Sequence, residues 1–322
     1  MKPWKVYFEG SLWGHHGRDH AGWEIAVGKS FSWGKQMWVI PAVYVCARGL
    51  VLDVCAGADA DEMRRFVEKW LPYERTGKIP EELREENERE NPLRMDAKAA
   101  LICDGQQLRE KHASGTVWLP EDCAWEGYQN GKAAEAMMTH YGLDRALAWG
   151  FRRIMFPWGD KGGKRQIREL TLSLEAGKVS YSGPRFFGSE ETVTFFHPIT
   201  GKEHTLTVIA EEEQELPDTY FQRENLEYPR KCVVLAYTAD LEKESLQVRW
   251  CGAGDRPREK SPNPKGPTAA HAAGVIMLRD SKENRAAASA LYFALPEKWE
   301  WRVIIMENPL PDVEWRLLGE GK

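Results

Sequence analysis

Between Trp13 and Trp23 the chain reads WGHHGRDHAGW, which sets His15, His16, Asp19 and His20 within six positions. Imidazole and carboxylate side chains can hold a divalent metal ion and polarise a water bound to it, so the stretch is a candidate metal centre. On a helix, His16 and His20 would share one face and His15 and Asp19 the neighbouring one. Gly14, Gly17 and Gly22 disfavour that helix. The alternative is an ordered loop, in which the same side chains either gather around one ion or stack, cap and bond backbone.

The order His15, Gly17, Asp19, His20, followed by Ala21 and Gly22, resembles the H-x-H-x-D-H zinc motif of the metallo-β-lactamase superfamily, with Gly17 where the motif has its second histidine. The resemblance implies a metal-dependent hydrolase in which His15, Asp19 and His20 bind the ion and His16 replaces the missing ligand. Asp53 or Asp104 would complete such a site. The likeness covers this loop alone, and no alternating βα pattern follows it, so no family is assigned.

A second pair of imidazoles lies in FFHPITGKEHTLTV. If Thr200 and Gly201 form a two-residue hairpin loop, His197 falls opposite His204, close enough for one ion or a shared proton. Pro198 confines that hairpin to an edge or a bulge. Two facing imidazoles resist double protonation, which would make the pair responsive to mild acid. The competing reading is an exposed hairpin with no role for either histidine.

The remaining chemistry is sparse. GDKGGKR, residues 159–165, is a residue short of a phosphate loop and has Arg165 where a hydroxyl should meet magnesium. The acidic run Glu211, Glu212, Glu213 and Glu215 reads as a solvated strand end. None of the six cysteines forms a C-x-x-C pair, which argues against a thiolate zinc site. Fourteen tryptophans make the chain tryptophan-rich and could line a ligand groove, although large aromatics more often anchor cores.

The elements that must position these residues follow from patterning. At 322 residues, with 42% hydrophobic and 29% charged side chains, the chain can bury a sizeable core. A formal charge of -5 provides no basic field for phosphates, so nucleic acid is a poor partner. No apolar stretch is long enough to cross a membrane, and a cytoplasmic protein is expected.

MWVIPAVYVCARGLVLDVCAG reads as an internal hairpin turning at Arg48-Gly49, with Asp53 its polar exception. Asp59 and Glu62 mark a helix start, and Met63, Phe66, Val67, Trp70 and Leu71 give it an apolar stripe that ends at Pro72. A second helix over 131–141 ends at Gly142, with His140 in its last turn. The change of phase between Trp149/Phe151 and Ile154/Phe156 predicts a bulge near Arg152 and Arg153.

From about residue 165 short alternating runs dominate. There, pairing KCVVLAYTAD with SLQVRWC would set Cys232 opposite Cys251. Residues 252–274 read as a long loop rich in Gly and Pro.

The expected fold class is therefore α+β and predominantly antiparallel, with a mixed domain over 1–160 carrying two or three helices. A sandwich or jelly-roll-like domain follows over 161–322. The leading functional expectation is a protein that binds a small molecule or a protein partner, with no complete catalytic motif. The alternative is the metal-dependent hydrolase at His15, His16, Asp19 and His20, with a divalent metal as cofactor. A third reading makes the edge strands near 191–208 a contact surface in an assembly.

Overall fold

The computed structural model describes residues 4–15, 17–76, 79–159, 166–217, 226–259 and 284–319, without the side chains of residues 74, 76, 81 and 82. The loop residues 160–165 and 260–274 discussed above therefore lie outside the described residues, as does His16. The chain divides into two compact units, Met1–Val179 with Asn308–Lys322, and Ser180–Glu307. The fold is α+β and mostly antiparallel sheet, with three α-helices among the described residues.

The first unit runs β1 (Trp23–Trp33), β2 (Gln36–Cys46), β3 (Gly49–Ala58), α1 (Ala60–Thr76), α2 (Glu81–Glu90), β4 (Ala97–Cys103) and β5 (Gln106–Arg109). It continues through β6 (His112–Trp118), α3 (Lys132–Tyr141), β7 (Ala148–Pro157) and β8 (Leu170–Ala176). The second unit holds β9 (Val179–Phe187), which starts at the junction, then β10 (Thr192–Phe196), β11 (Glu203–Glu215), β12 (Leu226–Glu227) and β13 (Lys231–Ala239). After these come β14 (Leu246–Trp250), β15 (Arg258–Glu259), β16 (Arg285–Ala288) and β17 (Glu300–Glu307), and the chain returns to the first unit for β18 (Val313–Leu318).

In the first unit a five-stranded sheet, β1-β2-β3-β7-β6, packs on a four-stranded sheet, β18-β8-β4-β5. Alternation along β3 sends Leu50, Leu52, Val54 and Ala56 into the space between the sheets. There they meet Leu101 of β4, Leu172 and Leu174 of β8 and Trp315 of β18. Each fully buried side chain of this size contributes about 1.5–3 kcal/mol, so this interior is the main cohesive element. The opposite face of the five-stranded sheet is covered by the N-terminal segment through Val6 and Phe8, and by α3 through Ala134, Met137 and Met138.

Every residue of β3 is buried, as its unbroken apolar run requires for a strand covered on both faces. Three local expectations are corrected. The β2–β3 turn is Ala47-Arg48, because Cys46 pairs with Gly49 and Val45 with Leu50. Gly49 is inside the strand, where a Cβ would collide with the Phe156 carbonyl and the Phe8 ring; its role is close approach, not a turn.

Strand β7 has no bulge: its register with β3 is unbroken from Gly49/Pro157 to Ala58/Ala148. The sequence changes phase because both faces are buried, Trp149 and Phe151 under α3 and Ile154 and Phe156 between the sheets. Helix α1 runs on through Pro72 to Thr76. Pro72 is exposed, as is Glu68, whose carbonyl loses its intrahelical donor there and can turn to water.

The second unit is a sandwich of a four-stranded sheet, β10-β11-β13-β16, and a three-stranded sheet, β14-β17-β9. Val233, Leu235 and Tyr237 of β13 face Leu246 and Val248 of β14 and Trp301 and Val303 of β17 across its core. Strands β13 and β14 are thus in opposite sheets, not paired, and Cys232 does not lie opposite Cys251 in a shared ladder. The two apolar runs meet face to face across the sandwich, which buries both without a shared edge.

Candidate functional site

Asp53 is the one carboxylate in a wholly buried strand, and the sheet supplies its partner from the neighbouring strand in register, Arg153 of β7. Arg153 Nε donates to Oδ1 and its Nη2 to Oδ2, each at 2.7 Å, with side-chain exposures of 5% and 0%. Tyr141, the last residue of α3, donates to the same Oδ2 at 2.5 Å. Tyr44 of β2 lies 2.7 Å from the Tyr141 hydroxyl, and the Trp4 indole N–H donates to Tyr44 at 2.8 Å. The resulting donor chain runs from Trp4 through Tyr44 and Tyr141 to Asp53.

Burial, followed by the Asp53 charge, pushes the Tyr141 phenol far above the usual range, and burial likewise raises Tyr44. Burial opposes the charge on Arg153, but the hydrogen bonds and charge of Asp53 outweigh it and raise its pKa. This network ties the N-terminal segment and α3 to the sheet. It also removes Asp53 from any ligand set, since both of its oxygens are taken. Asp104 is occupied too: its Oδ1 accepts from the backbone N–H groups of Arg168 and Glu169.

The histidine stretch is a loop held by backbone bonds. Gly22 N–H donates to the Val6 carbonyl at 2.8 Å, Ser11 N–H to the Gly14 carbonyl at 2.9 Å, and Leu12 N–H to Ser114 Oγ at 3.2 Å. Trp13 and Trp23 are 68% and 80% exposed and so do not enclose the histidines. His15 stacks instead on Tyr7, with centroids 4.2 Å apart and planes 6° from parallel. Among the described residues neither His15 ring nitrogen, both of them buried, has a hydrogen-bond partner, and neither has the buried Asp19 Oδ2.

A Cβ at residue 17 would lie 2.7 Å from His15 Cε1 and 3.0 Å from Nε2. Gly17 is therefore the residue that lets the backbone close over the imidazole. Asp19 is felt by Cys46, whose thiol is pushed up to about 11 by burial first and the Asp19 charge second. His20 is exposed.

His15 is one wall of a cleft of about 340 Å³. Gly10, Ser11 and Gly14 of the loop line it too, as do Lys111, His112 and Met155. Glu9 is also at this cleft, its carboxylate held by Arg48 at 2.7 Å. Among the described residues no three His, Cys, Asp or Glu side chains are grouped so as to hold a metal ion.

The second histidine pair comes together in a different register. Phe195 pairs with His204 and Phe196 with Glu203, and His197 N–H donates to the Lys202 carbonyl, so the connection is Pro198–Gly201. A shift of two residues keeps both rings on one face, with centroids 6.0 Å apart. Each has its own carboxylate: His197 Nε2 is 2.7 Å from Glu307 Oε1, and His204 Nδ1 is 3.1 Å from Asp240 Oδ1. His197 Nδ1 accepts from the N–H groups of Ile199 and Thr200, which identifies Nε2 as its protonated nitrogen.

His140 stacks on Trp4 at 4.5 Å and lies 3.2 Å from Glu24. In the acidic run, Glu211 is only half-exposed and accepts the indole N–H of Trp301 at 2.8 Å, so it is a structural acceptor and not a solvated charge. Sequence reasoning missed Arg153, Lys111 and His112. The signal for Arg153 was present: a lone Asp in an apolar strand needs a buried cation, and Arg152-Arg153 interrupts the apolar run RALAWGFRRIMFPW. Comparison of the chain with protein-family models, with curated proteins and with solved structures finds no match.

Proposed function

We propose that the protein binds a small anionic molecule in the cleft between the 8–17 loop and the start of β6. One observation carries the reading: His15 lines this cleft with both ring nitrogens buried and without a hydrogen-bond partner among the described residues. An unmade bond to a buried polar group costs about 1–3 kcal/mol, so a ligand that supplies a partner recovers that cost. A ligand reaching the ring must part it from Gly17, which presents only backbone.

The Lys111 ammonium and the His112 imidazole are exposed at the same cleft and favour a negative group, while Glu9 is already neutralised by Arg48. A carboxylate or phosphate on a compact scaffold fits this size and polarity.

The test is calorimetric titration of phosphate, acetate and citrate into the wild-type protein and into His15→Phe, which keeps the stack on Tyr7 and deletes both nitrogens. Saturable binding lost in the variant supports the reading; the absence of binding by all three anions, or equal binding by the variant, refutes it. A second reading is the metal-dependent hydrolase; the Asp19 Oδ2 left without a partner among the described residues is its one support, since His15, Asp19 and His20 are not grouped so as to hold an ion. Stoichiometric zinc or manganese retained by untagged protein, and lost in Asp19→Asn, would replace the first reading with this one.

A further inference from the structure

Helix α1 covers only part of its apolar stripe. Met63 is buried against the sheet and Trp70 is buried with its indole N–H bonded to Glu90 of α2, whereas Phe66, Val67 and Leu71 remain half-exposed. Trp125 and Tyr128, from the segment after the turn Glu121–Cys123, line the same pocket, with ring centroids 4.5 Å apart and planes inclined by 49°. Leu93, Val117 and Leu119 close the space between helix and aromatic pair, leaving a pocket of about 180 Å³.

We infer that this pocket is a binding site for a small planar aromatic molecule, one ring in size and uncharged, separate from the His15 cleft. Three features decide the occupant. The volume is close to the roughly 150 Å³ of an engineered apolar cavity that binds benzene. Four aromatic side chains line it, Phe66 and Trp70 of the helix together with Trp125 and Tyr128, which suits ring against ring.

The lining is mostly apolar, and its polar groups are few. Asn91 Oδ1 is committed to the Leu93 N–H at 2.9 Å, and Tyr128 makes only a 3.5 Å contact with Asn130. A water needs two to four polar partners to be held in such a place, so an apolar guest displaces it at little cost. The Tyr128 hydroxyl can take one hydrogen bond at the ring's edge, which favours a phenol over benzene itself.

The position is also anchored. Asn130 clamps Leu119 through both its N–H and its carbonyl, at 2.8 and 2.7 Å, and the buried Cys123 Sγ lies 3.1 Å from the Ala60 carbonyl. The aromatic segment is thus tied to the sheet and to the start of α1, and the pocket need not collapse when empty.

The experiment is saturation-transfer NMR with p-cresol on the full chain, together with the indole N–H resonances of Trp70 and Trp125. Saturable transfer and movement of those two resonances are expected in the wild type. In Val67→Phe, which fills the pocket from α1, the affinity should fall at least tenfold with the melting temperature kept or raised. If Val67→Phe fails to fold, Trp125→Ala removes one wall and should weaken binding similarly. Absence of transfer in the wild type overturns the inference, as does unchanged affinity in whichever variant folds.

Discussion

Replacing Asp53 with alanine would leave Arg153 charged, 4% exposed, and stripped of two 2.7 Å hydrogen bonds, while the Tyr141 hydroxyl loses its acceptor. Two independent estimates bracket the loss. Breaking one side of a buried ion pair costs about 3–5 kcal/mol. Three hydrogen bonds to a charged acceptor, at about 1.5–3 kcal/mol each, give a higher figure that relaxation and water entry reduce. A loss of about 4 kcal/mol lowers the melting temperature of a unit this size by roughly 8–16 °C.

The assay is differential scanning calorimetry with urea unfolding of Asp53→Ala beside the double variant Asp53→Leu with Arg153→Met. Removing both charges together should restore stability to within about 2 kcal/mol of wild type, because no buried charge is left unpaired. A single variant within about 1 kcal/mol of wild type, a value typical of surface changes, would refute the reasoning. So would a double variant as damaged as the single one.

Gly17→Ala should displace the His15 ring from Tyr7 at a stability cost of about 1 kcal/mol or less, because the new methyl meets only the far end of that side chain; near-UV circular dichroism of the tyrosine band reports the displacement. Glu211→Ala should cost about 1–3 kcal/mol by orphaning the buried Trp301 N–H, whereas Glu212→Ala should change urea stability by under about 0.5 kcal/mol. Cys46 and Cys123, both raised by burial from 9.0 to about 11, should resist alkylation in native protein at pH 8 and react only after unfolding. Because these folded-state values exceed the unfolded one, their stabilising contribution is complete below about pH 9 and is lost as the pH rises to about 11, which a pH series of melting curves will show.

Periodicity alone was enough to read the antiparallel α+β class, an internal β2–β3 hairpin and the helix capped by Gly142, because alternation and left-handed caps are local consequences of residue type. Registers were not: the β2–β3 and β10–β11 hairpins each differ by two residues from the pairing expected from sequence. A shift of two leaves every side chain on the same face, so the sequence pattern is blind to it.

The opposite sheets of β13 and β14 were equally hidden, since an apolar run looks the same beside its partner or across a core from it. At the histidine stretch the sequence set the ligand types and their spacing. Only the fold decided that His15 would be closed over by Gly17 and stacked on Tyr7, and that Asp53, 38 residues after it and a candidate ligand, would belong to Arg153. Spacing fixes what a segment can do by itself; which groups share a desolvated space depends on strands brought together from 100 residues apart.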